Sequence, residues 1–192
     1  MRKVSKNNIL CDFEKDKIPE HDLATKHKFD QGHIVGQLAK KMFPEGIDIP
    51  EADFKGSLIN SRKLLSEGKP LFEAAYSDGE VYSRADVLVP NEDGWDIIEV
   101  KSGASVKKIN IQDVAFQKYV YSLCGLKIKN CFLMHVNNKF VKDGEIDPVK
   151  FFVKEDITSL VSEVTGIKEK IDEMLESDKI FLKYLKKLQS KT

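Results

Sequence analysis

Between Pro70 and Ser102 the chain stops reading in helical steps and alternates in twos. "PLFEAAYS" and "EVYSRADVLVP" flank Asp78-Gly79, and "WDIIEVKS" follows the loop Asn91-Glu92-Asp93-Gly94. Three short period-2 runs joined by turn residues predict an antiparallel meander, with a two-residue type I′ hairpin at Asp78-Gly79. Helical patterns stand on both sides. "DQGHIVGQLAKKMFPEG" predicts a helix capped by Asp30, with Val35, Leu38, Ala39 and Met42 on its apolar stripe, and "FKGSLINSRKLLSEG" a second ending at Gly68. "NIQDVAFQKYVYSLCG" predicts a third, with Asn110 as N-cap and a stripe of Phe116, Val120, Leu123 and Cys124. A strand "KNCFLMHVN" and one or two amphipathic helices from about residue 156 complete the chain. The order predicts an α/β fold: a mixed central sheet, made of the meander plus a further strand, flanked by helices.

With 192 residues and 41% hydrophobic side chains, the chain suits one core and one domain. The core is expected over about 23–155 and a C-terminal helical segment over about 156–192. In that segment Ile180, Phe181, Tyr184, Leu185 and Leu188 form a stripe suited to docking on the core or on a further domain. Formal charge is zero, yet residues 101–142 carry eight lysines against Asp113 alone, a segment able to face phosphate. No apolar run is long enough to span a membrane and the N-terminus has no signal core, so a cytoplasmic protein with no membrane partner is expected. Cys11, Cys124 and Cys131 match no zinc spacing and no disulfide framework.

The charges within the meander need an explanation. If the Asn91–Gly94 loop is centred between Glu92 and Asp93, facing residues sum to 185 and Asp86 lies opposite Glu99. Like charges placed so destabilise a sheet. Glu99 and Lys101 share a face, with Val100 on the other. The same arithmetic about Asp78-Gly79, with a sum of 157, places Glu73 opposite Arg84. Two readings follow. One is a checkerboard of cross-strand ion pairs. The other is a divalent cation held by Asp86, Glu99 and the Val100 carbonyl, beside a lysine able to orient water or stabilise phosphate charge.

Asp86, a twelve-residue spacer and Glu99-Val100-Lys101 resemble the signature of the PD-(D/E)XK nuclease superfamily. Gln117 and Tyr121 match the Gln-x-x-x-Tyr motif of its RecB-like branch, which includes the CRISPR-associated exonucleases. His33 is similar to that branch's upstream metal-binding histidine, and Glu73 resembles the acidic residue on its first core strand. The Asp-Gln-Gly-His stretch looks closest to the N-terminal nuclease region of an uncharacterised bacterial RecB-like family. The resemblance spans roughly residues 23–136. It implies a restriction-endonuclease-like core and a metal-dependent deoxyribonuclease, exonuclease-like as in that branch, acting in DNA repair, recombination or defence. Asp86, Glu99 and His33, with the Val100 carbonyl, would bind Mg²⁺ or Mn²⁺. Lys101 would assist hydrolysis and Glu73 support the site, while Gln117, Tyr121, Lys107 and Lys108 would contact the nucleic acid.

No cysteines follow Cys131, so the iron-sulfur cluster of some relatives is not expected. The chain lacks a Gly-x-x-x-x-Gly-Lys-Ser/Thr phosphate loop, so DNA ends, single strands, or a helicase or additional domain in a longer protein are the expected partners. The competing reading is a catalytically silent nuclease-like module that binds nucleic acid or a protein partner.

Overall fold

The computed structural model describes residues 23–50 and 53–189. The elements run α1 (Leu23–Lys40), β1 (Ile47–Asp48), α2 (Phe54–Leu64), β2 (Leu71–Ser77), β3 (Tyr82–Asn91), β4 (Gly94–Lys101), α3 (Lys108–Leu123), β5 (Ile128–Val136), α4 (Pro148–Phe151), β6 (Phe152–Asp156), α5 (Thr158–Ser162) and α6 (Ile167–Gln189). The fold is α/β, with one mixed sheet in the order β1-β2-β3-β4-β5-β6. The meander β2-β3-β4 is antiparallel, β5 joins β4 in parallel, and β1 and β6 close the two edges.

Apolar side chains fill both faces of the sheet. On one, Leu71, Ala74, Leu88, Ile97 and Leu133 pack with Val114, Ala115, Val120 and Tyr121 of α3 and Val161 of α5. On the other, Val35 and Ala39 of α1 cover Phe72, Val87, Ile98 and Met134. Ile167 and Ile171 of α6 also lean on the α3-side core, so the C-terminal helices begin as part of it. The expected stripe from Ile180 to Leu188 lies outside the described side chains, and Cys11 outside the described residues.

Several local expectations change. Asp30 lies exposed inside α1, which begins seven residues earlier, and is no N-cap. The N-cap of α3 is Lys107, and Asn110, at the third helical position, accepts from its N–H at 3.0 Å. The buried face of that helix is Val114, Ala115, Gln117, Val120 and Tyr121, while Leu123 is exposed. The Asp78-Gly79 turn is a four-residue loop. Asp78 Oδ1 accepts from the N–H groups of Glu80 and Val81, and Val81 is drawn into the core. These side-chain-to-backbone bonds offer the chain an alternative to the tight turn. Two more loop residues move the β2-β3 register from the expected sum of 157 to 159, so Arg84 pairs with Ala75 instead of Glu73. The β3-β4 register, by contrast, keeps the sum of 185.

Candidate active site

The β3-β4 ladder runs to Val87 and Ile98, and Asp86 and Glu99 follow one step beyond. There the Asp86 side chain takes over: its Oδ2 accepts from the Val100 N–H at 2.7 Å. Glu99 is 7% exposed and both of its carboxylate oxygens are engaged. Lys101 Nζ donates to Oε1 and Gln117 Nε2 to Oε2, each at 2.6 Å. Asp113 Oδ2 lies 3.7 Å from the same ammonium. Gln117 is thus oriented by a carboxylate that accepts only, and its own Oε1 is left buried with no hydrogen-bond partner. A buried acceptor without a donor costs free energy, so it marks a place where a ligand's donor would be stabilised.

The electrostatics follow from this crowding. Burial pushes the Asp86 carboxyl up to about 8, and the Glu99 charge, then that of Glu73, adds to the rise against the opposing Val100 bond and Lys101. For Lys101 burial acts downward, but the Glu99 charge and hydrogen bond, with Asp113 and Asp86, outweigh it and raise the ammonium above its ordinary range. Lys101 therefore carries its charge at neutral pH.

The other expected residues are placed variously. Glu73 adjoins Asp86 electrostatically and pairs with Arg84 Nε at 2.8 Å, a partly exposed contact despite the shifted register. Lys107 and Lys108 stand exposed at the start of α3, a short loop beyond Lys101. Gln117 and Tyr121, expected against a nucleic acid strand, are buried inside the protein. Gln117 grips Glu99, and the fully buried Tyr121 hydroxyl bridges β2 and β3. The Gln117 Nε2 and the Tyr121 hydroxyl are occupied within the fold, and that makes both residues supports of the site. His33 is exposed on α1, the helix covering the opposite sheet face from Glu99's neighbours Ile97 and Leu133. Among the described residues no group of three His, Cys, Asp or Glu side chains is arranged to hold a metal ion.

One residue escaped the sequence reading. His135 pairs with Lys101 across β4-β5 and is 5% exposed, its ring bonded to Val136 O at 3.0 Å and Glu155 Oε1 at 2.6 Å. A single polar residue in step with Cys131 and Leu133 was the available signal. It was masked by the apolar run around it.

No family model matches the chain, and no curated protein matches it. Among solved structures, one described as "Crystal structure of SSO0001" is similar at 15% identity with a TM-score of 0.37, over 80% of this chain and 88% of that one. A likeness so distant adds nothing about the site. Among the described residues no helix is long and apolar enough to cross a membrane.

The carboxylate pair fits a hard divalent cation in its donor chemistry. Two acidic oxygen donors lie close enough for one to raise the other's pKa, beside a buried oxygen without a partner. A cation would remove the repulsion that the sheet otherwise carries.

Proposed function

We propose that this chain is a metal-dependent deoxyribonuclease of the RecB-like PD-(D/E)XK kind, on a restriction-endonuclease-like core, hydrolysing DNA phosphodiester bonds. The observation that carries the reading is the Asp86–Glu99 pair: burial and the Glu99 charge push the Asp86 carboxyl up to about 8, and the Lys101 ammonium donates to Glu99 at 2.6 Å. Carboxylates gathered against their own repulsion, in a partly buried place, are a mark of functional sites.

Asp86 and Glu99 would hold Mg²⁺ or Mn²⁺. When bound, the ion supplies Lewis acidity toward a phosphoryl oxygen and a more acidic water. The chain's own groups do the rest. Lys101, held charged by Glu99 and Asp113, is suited to stabilise negative charge on phosphate and unsuited to take a proton. Gln117 fixes one Glu99 oxygen, so that Glu99 is presented in a single orientation. Lys107 and Lys108, exposed at the start of α3, would supply charge for the DNA backbone.

The test is cleavage of end-labelled single- and double-stranded DNA with Mn²⁺, Mg²⁺ or EDTA, for the wild type and Lys101→Ala. Metal-dependent cutting lost in the variant supports the reading. Cutting by neither protein, in a folded sample, favours a second reading: a silent module that binds nucleic acid or a protein partner. That alternative draws on a specific observation, since both Glu99 oxygens are already engaged by the chain's own donors.

A further inference from the structure

The two packing clusters record a slip in the sheet. On β2, Leu71 faces the α3-side core and Phe72 the α1-side core, yet Ala74 and Tyr76 face α3 again. On β3, Ala85 and Leu88 face α3 while Val87 faces α1. Regular alternation puts residues three apart on opposite faces, so the pattern slips on both strands, at Glu73 and at Asp86. The register is unbroken across the slip, with Phe72 paired to Val87 and Ala74 to Ala85. No residue has been inserted, as a bulge would require. Instead Glu73 takes a left-handed backbone with φ 60°.

Something must hold two strands in so unusual a state. Directly beside the slip, the Tyr121 hydroxyl accepts from the Ala85 N–H at 2.9 Å and donates to the Ala74 carbonyl. It bridges β3 to β2 at the first pair past Glu73 and Asp86. The side chain is fully buried, its ring 4.7 Å from that of Tyr76. Burial also raises its hydroxyl well above the ordinary tyrosine range, so the O–H stays a donor.

We propose that Tyr121 is a positioning residue for the carboxylate pair: its hydroxyl locks the paired slip, and the slip turns Asp86 onto the Val100 N–H beside Glu99. Gln117 stands one turn earlier on α3 and fixes Glu99. Residues four apart share a helix face, so a single helix sets both carboxylates. What the pair is used for rests on the nuclease reading. The placement does not.

The experiment compares ¹⁵N-labelled full-length wild type, Tyr121→Phe and, as control, Tyr76→Phe. Tyr76 is equally buried, but its hydroxyl reaches only Ser61 O, at 3.5 Å. In Tyr121→Phe the Ala85 amide should exchange about tenfold faster, the worth of one ordinary hydrogen bond. The Val100 amide proton should also move upfield as its carboxylate acceptor shifts, and Mn²⁺ affinity should fall about tenfold, since ligands out of place bind weakly. Tyr76→Phe should leave the Val100 resonance unmoved. An unmoved Val100 amide in Tyr121→Phe, with Ala85 exchanging faster, overturns the proposal and leaves Tyr121 a packing residue. Should Tyr121→Phe not fold, 3-fluorotyrosine at position 121 keeps the hydroxyl while altering its acidity. A smaller Val100 shift supports the proposal, and none overturns it. If the wild type neither cuts DNA nor binds Mn²⁺, the nuclease reading fails while the Val100 resonance still decides the placement.

Discussion

Two aspartates on one hairpin receive opposite treatment. Asp96 on β4 pairs with Val89, and its carboxylate is fully served by neutral donors. Asn91 Nδ2 reaches both oxygens at 3.0 and 3.1 Å, while the Asn130 N–H and Nδ2 reach Oδ1 at 3.0 and 2.9 Å. Among the described residues Asp86 on β3 accepts from the Val100 N–H alone, and it feels Glu99 and Glu73 as like charges that Lys101 only partly offsets. A carboxylate kept for the fold is given donors. One kept beside other carboxylates, with a strained residue next to it, costs stability that the fold has no use for, and chemistry is the better reason for it.

The largest expected effect separates the two. If the nuclease reading holds, Asp86→Asn lowers cleavage by about a thousandfold or more, because a neutral amide neither holds a dication as a carboxylate does nor replaces its charge. Asp96→Ala should leave cleavage per folded molecule within a few-fold. It should instead lower stability by about 1–3 kcal/mol, since Asn91 and Asn130 lose their acceptor. Urea denaturation and cleavage rates of the two variants check both halves. Loss of cleavage in a folded Asp96→Ala protein would erase the distinction between them.

A smaller effect sharpens the contrast through pH. Free aspartate titrates near about 4. Asp86, raised to about 8, keeps its proton in the folded chain where the unfolded chain has lost it. Between those values the folded state binds more protons, so this contribution to stability is complete below about 4 and is lost as pH rises through about 8. In EDTA, the melting temperature of wild type relative to Asp86→Asn should therefore fall steadily from pH 5 to 9. Mn²⁺ should recover part of the loss at the alkaline end, because a dication competes with the proton for the same oxygens. A difference that does not change with pH would mean that Asp86 is no more burdened than Asp96.

The same contrast shows what could be read in advance. The β3-β4 register was legible because the Asn91–Gly94 loop is short and its geometry is fixed. A Cβ on Gly94 would lie 2.4 Å from the Lys127 carbonyl, and the Asn91-Gly94 pair keeps the sum of 185 that brings Asp86 to Glu99. The β2-β3 register was not, since Asp78 binds its own loop's N–H groups in a way that an Asp-Gly pair does not announce. The strand β1 has only two residues, and β6 is an edge strand whose Lys154, Glu155 and Asp156 are exposed. Neither has enough alternation to stand out. Tyr121 was found, but its use was not, because a tyrosine on a helix looks the same whether its hydroxyl meets solvent or enters a β-ladder. The slip at Glu73 and Asp86 was invisible for a related reason: its cause is a hydroxyl from a helix more than thirty residues away.

The smallest effect concerns the strain beside Asp86. Among the described residues Glu73 alone, apart from glycines, has a positive φ. A residue with a Cβ is disfavoured there by about 1–2 kcal/mol, while glycine loses about 0.5–1 kcal/mol more backbone entropy on folding. Glu73→Gly should thus be more stable than Glu73→Ala by up to about 1.5 kcal/mol, although both lose the same carboxylate and the same partly exposed pair with Arg84, itself worth little. Urea denaturation of the two variants at one pH reads the difference. Equal stability, or a more stable alanine variant, would mean that the left-handed backbone is not enforced, and the asymmetry between Asp86 and Asp96 would then be one of charge alone. A more stable glycine variant would show that the fold bears two costs at Asp86, repulsion and strain, where at Asp96 it bears neither.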